Sequence, residues 1–248
     1  MENIIHIASQ YLATAAISFL NPKADDSHTN LGWYNNGLQT HSLSEANDIL
    51  TLDYRSFSLI WTNNSGFKEV LSLDEKTHRS IVEWIRDTSQ KAGITKSYSY
   101  NLHYELPYET ITGGFQFVKP EDSNIEKLIK NRELAQTALE HALKIFNPEA
   151  PIRIWPHHFD TGSFFVTDNG LGIGLGMAIP DTMINDFYLY VSGYNGHESI
   201  ALDPNTSINL GTYYNEGWKG IALPVTGITE KEASRFFENA INIYTSNL

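Results

Sequence analysis

Apolar residues recur at helical spacing in three long stretches of the chain, residues 4–20, about 124–146 and 229–244. In the first stretch Ile4, Ile7, Ala8 and Tyr11 fall on one side, as they do in a helix that buries one face. A fourth, shorter helix is predicted after Ser72 or Asp74, since either side chain can cap its start, and Gly93 ends it. The pattern therefore predicts four helices.

Between these helices the apolar pattern changes to short runs that are typical of strands. The predicted strands are residues 37–43, 49–54, 56–62, 67–71, 152–155, 163–167, 170–178, 187–192 and 218–224. Residues 97–118 also hold stretches that alternate as strands do. The turn sequence NNSG at residues 63–66 joins two of the first four strands, which favours an antiparallel meander. We therefore predict an α+β fold of two similar halves, residues 1–118 and 119–248, each with a mostly antiparallel sheet and packed helices. The halves are expected to form a single compact unit.

Composition narrows the range of partners. The formal net charge is −12, from 29 acidic and 17 basic residues, so the chain is expected to repel nucleic acids and anionic membrane surfaces. It contains no cysteine, which excludes disulfides, thiol nucleophiles and cysteine-ligated metals. Glu2 and the polar residues His6, Ser9 and Gln10 interrupt the first apolar stretch, unlike a signal peptide. We expect a cytoplasmic protein with neither a nucleic-acid nor a membrane partner.

The densest group of chemically active side chains is the sequence HHFD at residues 157–160. Imidazoles and carboxylates transfer protons near neutral pH and bind divalent metals. On an extended segment His158 and Asp160 share a face, whereas His157 points the other way. His158 and Asp160 are therefore the candidate catalytic pair, and His157 is a candidate ligand-binding residue.

Other candidate ligand-binding residues come from two distant parts of the chain. A metal at His158 and Asp160 would need a further ligand, which His103 or Glu105, or alternatively His197 and Glu198, could supply. Tyr104, Tyr188 and Tyr190 are predicted to line a cleft that has His158 and Asp160 at its rim. Such a cleft would suit a carbohydrate or a small acid.

Three classes of function remain open at this stage. The leading hypothesis is a protein that binds a small ligand at a cleft lined by histidine, aspartate and tyrosine. The alternatives are a metal-assisted or acid/base hydrolase, in which Ser163 could be a nucleophile, and a structural or partner-binding domain with buried imidazoles.

The glycine series at residues 170–176 does not open a helix as a dinucleotide fingerprint does, so it predicts close packing instead. Neither a cofactor nor a catalysed reaction follows from the sequence.

Four segments also carry a resemblance to a known family. They are HTNLGWY at residues 28–34, GLQT at 37–40, HHFD at 157–160 and the tyrosine-rich DFYLYV at 186–191. Their order along the chain resembles that of a bacterial family of uncharacterised proteins known only as a domain of unknown function. The resemblance implies a shared overall organisation and brings no activity with it.

Overall fold

The computed structural model describes residues 2–203 and 205–246. The chain divides into two compact units, of which the first comprises Met1–Ile129 and Ile154–His158. The second comprises Lys130–Arg153 and Phe159–Leu248.

The helices are α1 (Glu2–Phe19), α2 (His78–Lys91), α3 (Asp122–Phe146) and α4 (Glu230–Ser246). The strands are β1 (Gly32–Tyr34), β2 (Gly37–Gln39), β3 (Ile49–Asp53), β4 (Ser58–Thr62), β5 (Lys68–Ser72), β6 (Arg153–Ile154), β7 (Thr161–Val166), β8 (Leu171–Ala178), β9 (Tyr188–Asn195), β10 (Glu198–Ser199), β11 (Thr212–Tyr214) and β12 (Gly220–Pro224). With two antiparallel sheets in two sheet-bearing halves, the predicted α+β class is confirmed.

The first unit is built on a meander of five antiparallel strands in the order β1-β2-β3-β4-β5. Leu50 and Leu52 of β3 are fully buried, as are Leu59 and Trp61 of β4, because alternate residues of a strand share a face. Helix α1 packs on β3. The α1 helix thus covers one face of this sheet and is itself almost wholly buried.

The second sheet has seven strands in the order β11-β12-β9-β8-β7-β6, with β10 paired to β9. Strand β8 divides its residues sharply between the two faces. Leu171, Ile173, Leu175 and Met177 share one face, and α4 packs on β8 and β9 from that side. The opposite face of β8 consists largely of glycine, at positions 172, 174 and 176. The close packing predicted for the glycine series is confirmed at these three positions, where atoms of aromatic rings lie within 4 Å of the place that a Cβ would take, whereas nothing lies that close to Gly170.

Two local predictions differ from the structure. Helix α2 is capped by the Thr77 side chain, which accepts from the Ser80 amide, and not by Ser72 or Asp74. Ser72 is still paired within β5, and the next amide, that of Leu73, donates to the carbonyl of Phe57, so the chain cannot turn into a helix earlier. Residues 97–118, which alternate like strands, form no strand because their tyrosines bond to α1 instead.

Within residues 2–203 and 205–246, every helix falls short of the combined length and apolarity needed to cross a bilayer.

The glycine face predicts an unequal response to alanine substitution. A Cβ at Gly172 would lie 2.8 Å from Cζ of Phe164, an exposed ring that can rotate away. A Cβ at Gly176 would collide with the backbone carbonyl of Thr161 and the hydroxyl of Tyr190. We expect Gly176→Ala to lower the free energy of unfolding by about 1–3 kcal/mol and Gly172→Ala by less than about 1 kcal/mol. Urea denaturation of both variants measures the difference, and equal costs would contradict this account.

Candidate functional site

A buried arginine organises the turn that carries Asp160. Arg132 of α3 is completely buried, with one guanidinium nitrogen 2.5 Å from the carbonyl oxygen of Phe159 and another 2.5 Å from Oγ1 of Thr161. Its guanidinium also lies 4.5 Å from the centroid of the Phe159 ring, in cation–π geometry. These contacts hold Phe159 in the left-handed region at a φ of 59°, which a bulky residue rarely adopts. The two residues that flank Asp160 are thus both fixed by Arg132.

The turn directs the Asp160 carboxylate to the face opposite Arg132. Thr161 pairs with Met177 on the helix-covered face, whereas Gly162 and the Asp160 carboxylate lie on the glycine face. There Oδ2 of Asp160 accepts a hydrogen bond of 2.5 Å from the Tyr190 hydroxyl. Oδ1 of Asp160 is buried and has no hydrogen-bond partner among the described residues. Asp160 therefore keeps one unused acceptor beside Tyr190.

The glycine face carries a strip of five aromatic rings, which we call the aromatic strip. Its members are Phe164 of β7, Tyr190 and Tyr194 of β9, Trp218, and Tyr214 of β11.

Contacts link the rings of the strip in pairs. Phe164 and Tyr194 have centroids 6.1 Å apart, Tyr190 and Trp218 are 6.2 Å apart, and Tyr214 and Trp218 are 6.4 Å apart. The rings can lie close to the sheet because the glycines beneath them have no Cβ. Phe164 is 52% exposed, and the other four side chains are partly exposed.

Tyr188 lies on the same face as Tyr190 but makes a different contact. Its hydroxyl donates to Oδ2 of Asp181 at 2.7 Å, while Oδ1 of Asp181 accepts from the amides of Met183 and Ile184. Asp181 is therefore satisfied on both oxygens. Burial, followed by the hydrogen bond to Asp181, raises the pKa of Tyr188. For Tyr190 the pKa is raised well above its ordinary value by burial and then by the Asp160 charge. Both tyrosines are hydrogen-bond donors at neutral pH.

The predicted histidines lie in the first unit, so the proposed pair of His158 and Asp160 falls in different units. In the first unit the rings of His103 and Tyr104 are 5.2 Å apart, those of Tyr104 and His157 are 5.6 Å apart, and those of His157 and His158 are 4.2 Å apart. His103 also contacts Oδ2 of Asp26 at 3.0 Å.

The predicted site residues of the first unit also differ in solvent exposure. His158, His103 and Glu105 are exposed, whereas His157 and Tyr104 are half-buried. The structure thus brings His103, Tyr104, His157 and His158 together, and separately Asp160 with Tyr190.

The Tyr104 hydroxyl serves the interior of the first unit. It donates to Oε1 of Gln10 at 2.7 Å, and Nε2 of Gln10 donates to the carbonyl of Pro156 at 2.9 Å. His6 contacts the same Pro156 carbonyl at 2.6 Å and the Tyr108 hydroxyl at 3.0 Å. These polar groups of α1 are buried, so they need such partners. The Tyr104 hydroxyl therefore has a structural role, since it satisfies a buried polar group of α1.

Two chemical alternatives find little support in the described residues. No three His, Asp or Glu side chains among residues 2–203 and 205–246 are grouped to hold a metal ion. Ser163 alternates with Gly162 along β7, so its side chain lies on the helix-covered face, away from the Asp160 carboxylate. An activated serine paired with Asp160 is therefore disfavoured by strand geometry.

Sequence reasoning missed Arg132 and most of the aromatic strip. Arg132 falls four residues after Leu128 and three before Ala135, within the apolar stripe of α3. A charged residue at a core position of a helix is the signal that could have identified it. The pairing of strands that are distant in sequence decides the rest of the site, because Phe164, Tyr214 and Trp218 meet Tyr190 and Tyr194 only through β-sheet register.

Removing the Tyr104 hydroxyl is expected to destabilise the first unit. Tyr104→Phe leaves Oε1 of the buried Gln10 without its donor, which should lower the free energy of unfolding by about 1–3 kcal/mol. Tyr34→Phe is the matched control, since the Tyr34 side chain is 56% exposed and should change stability little. Chemical denaturation of both variants provides the comparison, and two equal values would show that the Gln10 contact contributes nothing.

The raised pKa of Tyr190 predicts a loss of stability in alkali. Above pH of about 10 the unfolded chain releases the tyrosine proton, whereas the folded state keeps the Tyr190 proton. The contribution of Tyr190 to the free energy of unfolding is therefore lost as pH rises. Tyr190→Phe should therefore show a shallower fall in the free energy of unfolding above pH of about 10 than the unsubstituted protein. Tyr34→Phe should leave the fall unchanged. An unaltered slope in Tyr190→Phe would rule out this linkage.

Comparison of the chain with known protein families, curated proteins and solved structures found no match. The resemblance to a bacterial family therefore stays a prediction, and what bears on function is the geometry of the site.

Proposed function

We propose that the second unit binds a neutral sugar at Asp160, Tyr190 and Trp218. The observation that carries this proposal is the unused Oδ1 of Asp160 beside a partly exposed aromatic strip. It agrees with the small-ligand class predicted from the sequence, but it uses the aspartate and tyrosine of the second unit without the histidines of the first.

The carboxylate supplies the polar half of the site. A buried oxygen without a donor costs about 1–3 kcal/mol, which a ligand hydroxyl donating to it would offset. Asp160 as a whole is only half-buried, and the last torsion of an aspartate side chain is soft. A small rotation of the carboxylate can therefore present an oxygen to a ligand, and a hydroxyl bonded to an ionised carboxylate forms one of the stronger hydrogen bonds.

Charge favours a neutral ligand over an ion. Arg132 bonds to the residues on both sides of Asp160, so a positive charge already lies at the turn that carries the carboxylate. A cationic ligand is therefore not needed to neutralise Asp160. An anionic ligand would be repelled by Asp160 and Asp181, which both lie on or beside this face.

The aromatic rings supply the apolar half of the site. The C–H faces of a sugar ring carry partial positive charge, whereas the face of an aromatic ring is negative, so the two surfaces attract each other. Trp218 lies against Gly220 and presents a partly exposed indole next to Tyr190. A sugar with one C–H face on Trp218 and a hydroxyl toward Asp160 would use both halves together.

Sugar binding is testable by saturation-transfer NMR and calorimetry with glucose, galactose, mannose, xylose and N-acetylglucosamine. At least one of these sugars should bind, and Asp160→Asn should weaken its affinity tenfold or more, since hydrogen bonds to charged groups contribute about 1.5–3 kcal/mol. Trp218→Ala should also weaken binding, through loss of the stacking surface.

Asp168→Asn is the matched control, because Asp168 is an exposed aspartate of the same unit outside the site. Circular dichroism spectra of all variants would verify that they fold. The proposal is wrong if neither these sugars nor their oligomers bind, or if choline or citrate binds in an Asp160-dependent manner while the sugars do not.

A further inference from the structure

We infer that the ligand is a linear oligosaccharide of neutral sugars that runs across the strands of the second sheet along the aromatic strip. This inference rests on the proposed sugar binding and concerns the length and direction of the bound chain. It follows from the part of the strip that a single sugar at Asp160 and Trp218 would leave uncovered.

The strip is longer than one sugar ring. It extends from Phe164 on β7 to Tyr214 on β11, and the strand order places four interstrand spacings between them. At about 4.8 Å per spacing the strip spans roughly 19 Å. A monosaccharide held at Trp218 could not reach Phe164.

The end of the strip on β7 is exposed and apolar. Phe164 is 52% exposed, and Val166, two residues further along the same face of β7, is 55% exposed. Together these two side chains offer an apolar surface that a ligand could cover. Phe164 lies over Gly172, and its ring centroid is 6.1 Å from that of Tyr194, so the two rings form one end of the aromatic strip.

Polar groups alternate with the rings, which suits a sugar chain better than an apolar peptide or a lipid. Ser192 lies between Tyr190 and Tyr194 on the same face of β9, but it is buried, and its hydroxyl donates to the Tyr194 hydroxyl at 3.1 Å. The polar group that this part of the strip offers to a ligand is therefore the hydroxyl of the partly exposed Tyr194. Asp160 adds a carboxylate beside Tyr190. An oligosaccharide has the same alternation, because C–H faces for stacking alternate with hydroxyls for hydrogen bonding along its length.

The test is the dependence of affinity on chain length. Calorimetric titrations would use cello-, malto- and chito-oligosaccharides from the disaccharide to the hexasaccharide. For one series the affinity should rise at least tenfold with length. Phe164→Ala should keep the affinity for the disaccharide and lose about fivefold of the gain with length, which corresponds to one stacked ring. Tyr34→Ala, which removes an exposed ring of the first unit, should change neither value.

The outcomes separate this inference from the function on which it rests. If the disaccharide binds in an Asp160-dependent manner but longer chains bind no better, the site takes a short sugar and the oligosaccharide inference is overturned. If no sugar of any length binds, the proposed function itself fails. If Phe164→Ala abolishes a concentration-dependent self-association and leaves sugar affinity unchanged, the exposed end of the strip is an interface between copies of the chain, which also overturns the inference.

Discussion

The candidate site depends on a single buried cation. Burying the Arg132 guanidinium is costly unless its donors and its charge find partners, and the two residues that flank Asp160 supply a carbonyl, a hydroxyl and an aromatic face. The same contacts hold Phe159 in a backbone conformation that would otherwise cost about 1–3 kcal/mol. The left-handed residue redirects the chain just before β7, so that Thr161 turns toward the arginine and Asp160 toward the opposite face. The position of the carboxylate is therefore a consequence of how the arginine is satisfied.

The second constraint is that the two faces of the second sheet carry different kinds of side chain. Large aliphatic side chains of β8 fill the face under α4, and glycines leave the other face low enough for rings to lie on it. Without the glycines, a Cβ at position 176 would strike the Tyr190 hydroxyl, which is the group that holds Asp160. The packing of the sheet and the geometry of the site are thus set by the same residues.

Much of this architecture could be predicted from the sequence because helical periodicity and turn residues act locally. The four helices and the strands β3, β4, β8 and β9 fall close to their predicted positions. Residues 97–118 could not be predicted in the same way, because their alternating tyrosines have the pattern of a strand. Their hydroxyls bond instead to Gln10 and Thr14, buried polar groups of a helix that is distant in sequence. The aromatic strip was equally out of reach, since its rings come together only through sheet register.

The two sets of tyrosines show why residue type alone could not locate the site. Tyr104 and Tyr190 are each held by one hydrogen bond from the hydroxyl to a side-chain oxygen, and burial raises the pKa of both phenols. The difference lies in the acceptor. The amide nitrogen of Gln10 donates to main-chain carbonyls and to a serine hydroxyl. The bond from Tyr104 to the Gln10 oxygen therefore completes a closed network. Asp160 has a second oxygen that nothing among the described residues satisfies, so the Tyr190 bond leaves the network open at one atom. An open acceptor next to partly exposed rings is an arrangement that a ligand can complete, and for that reason the ligand site is expected in the second unit.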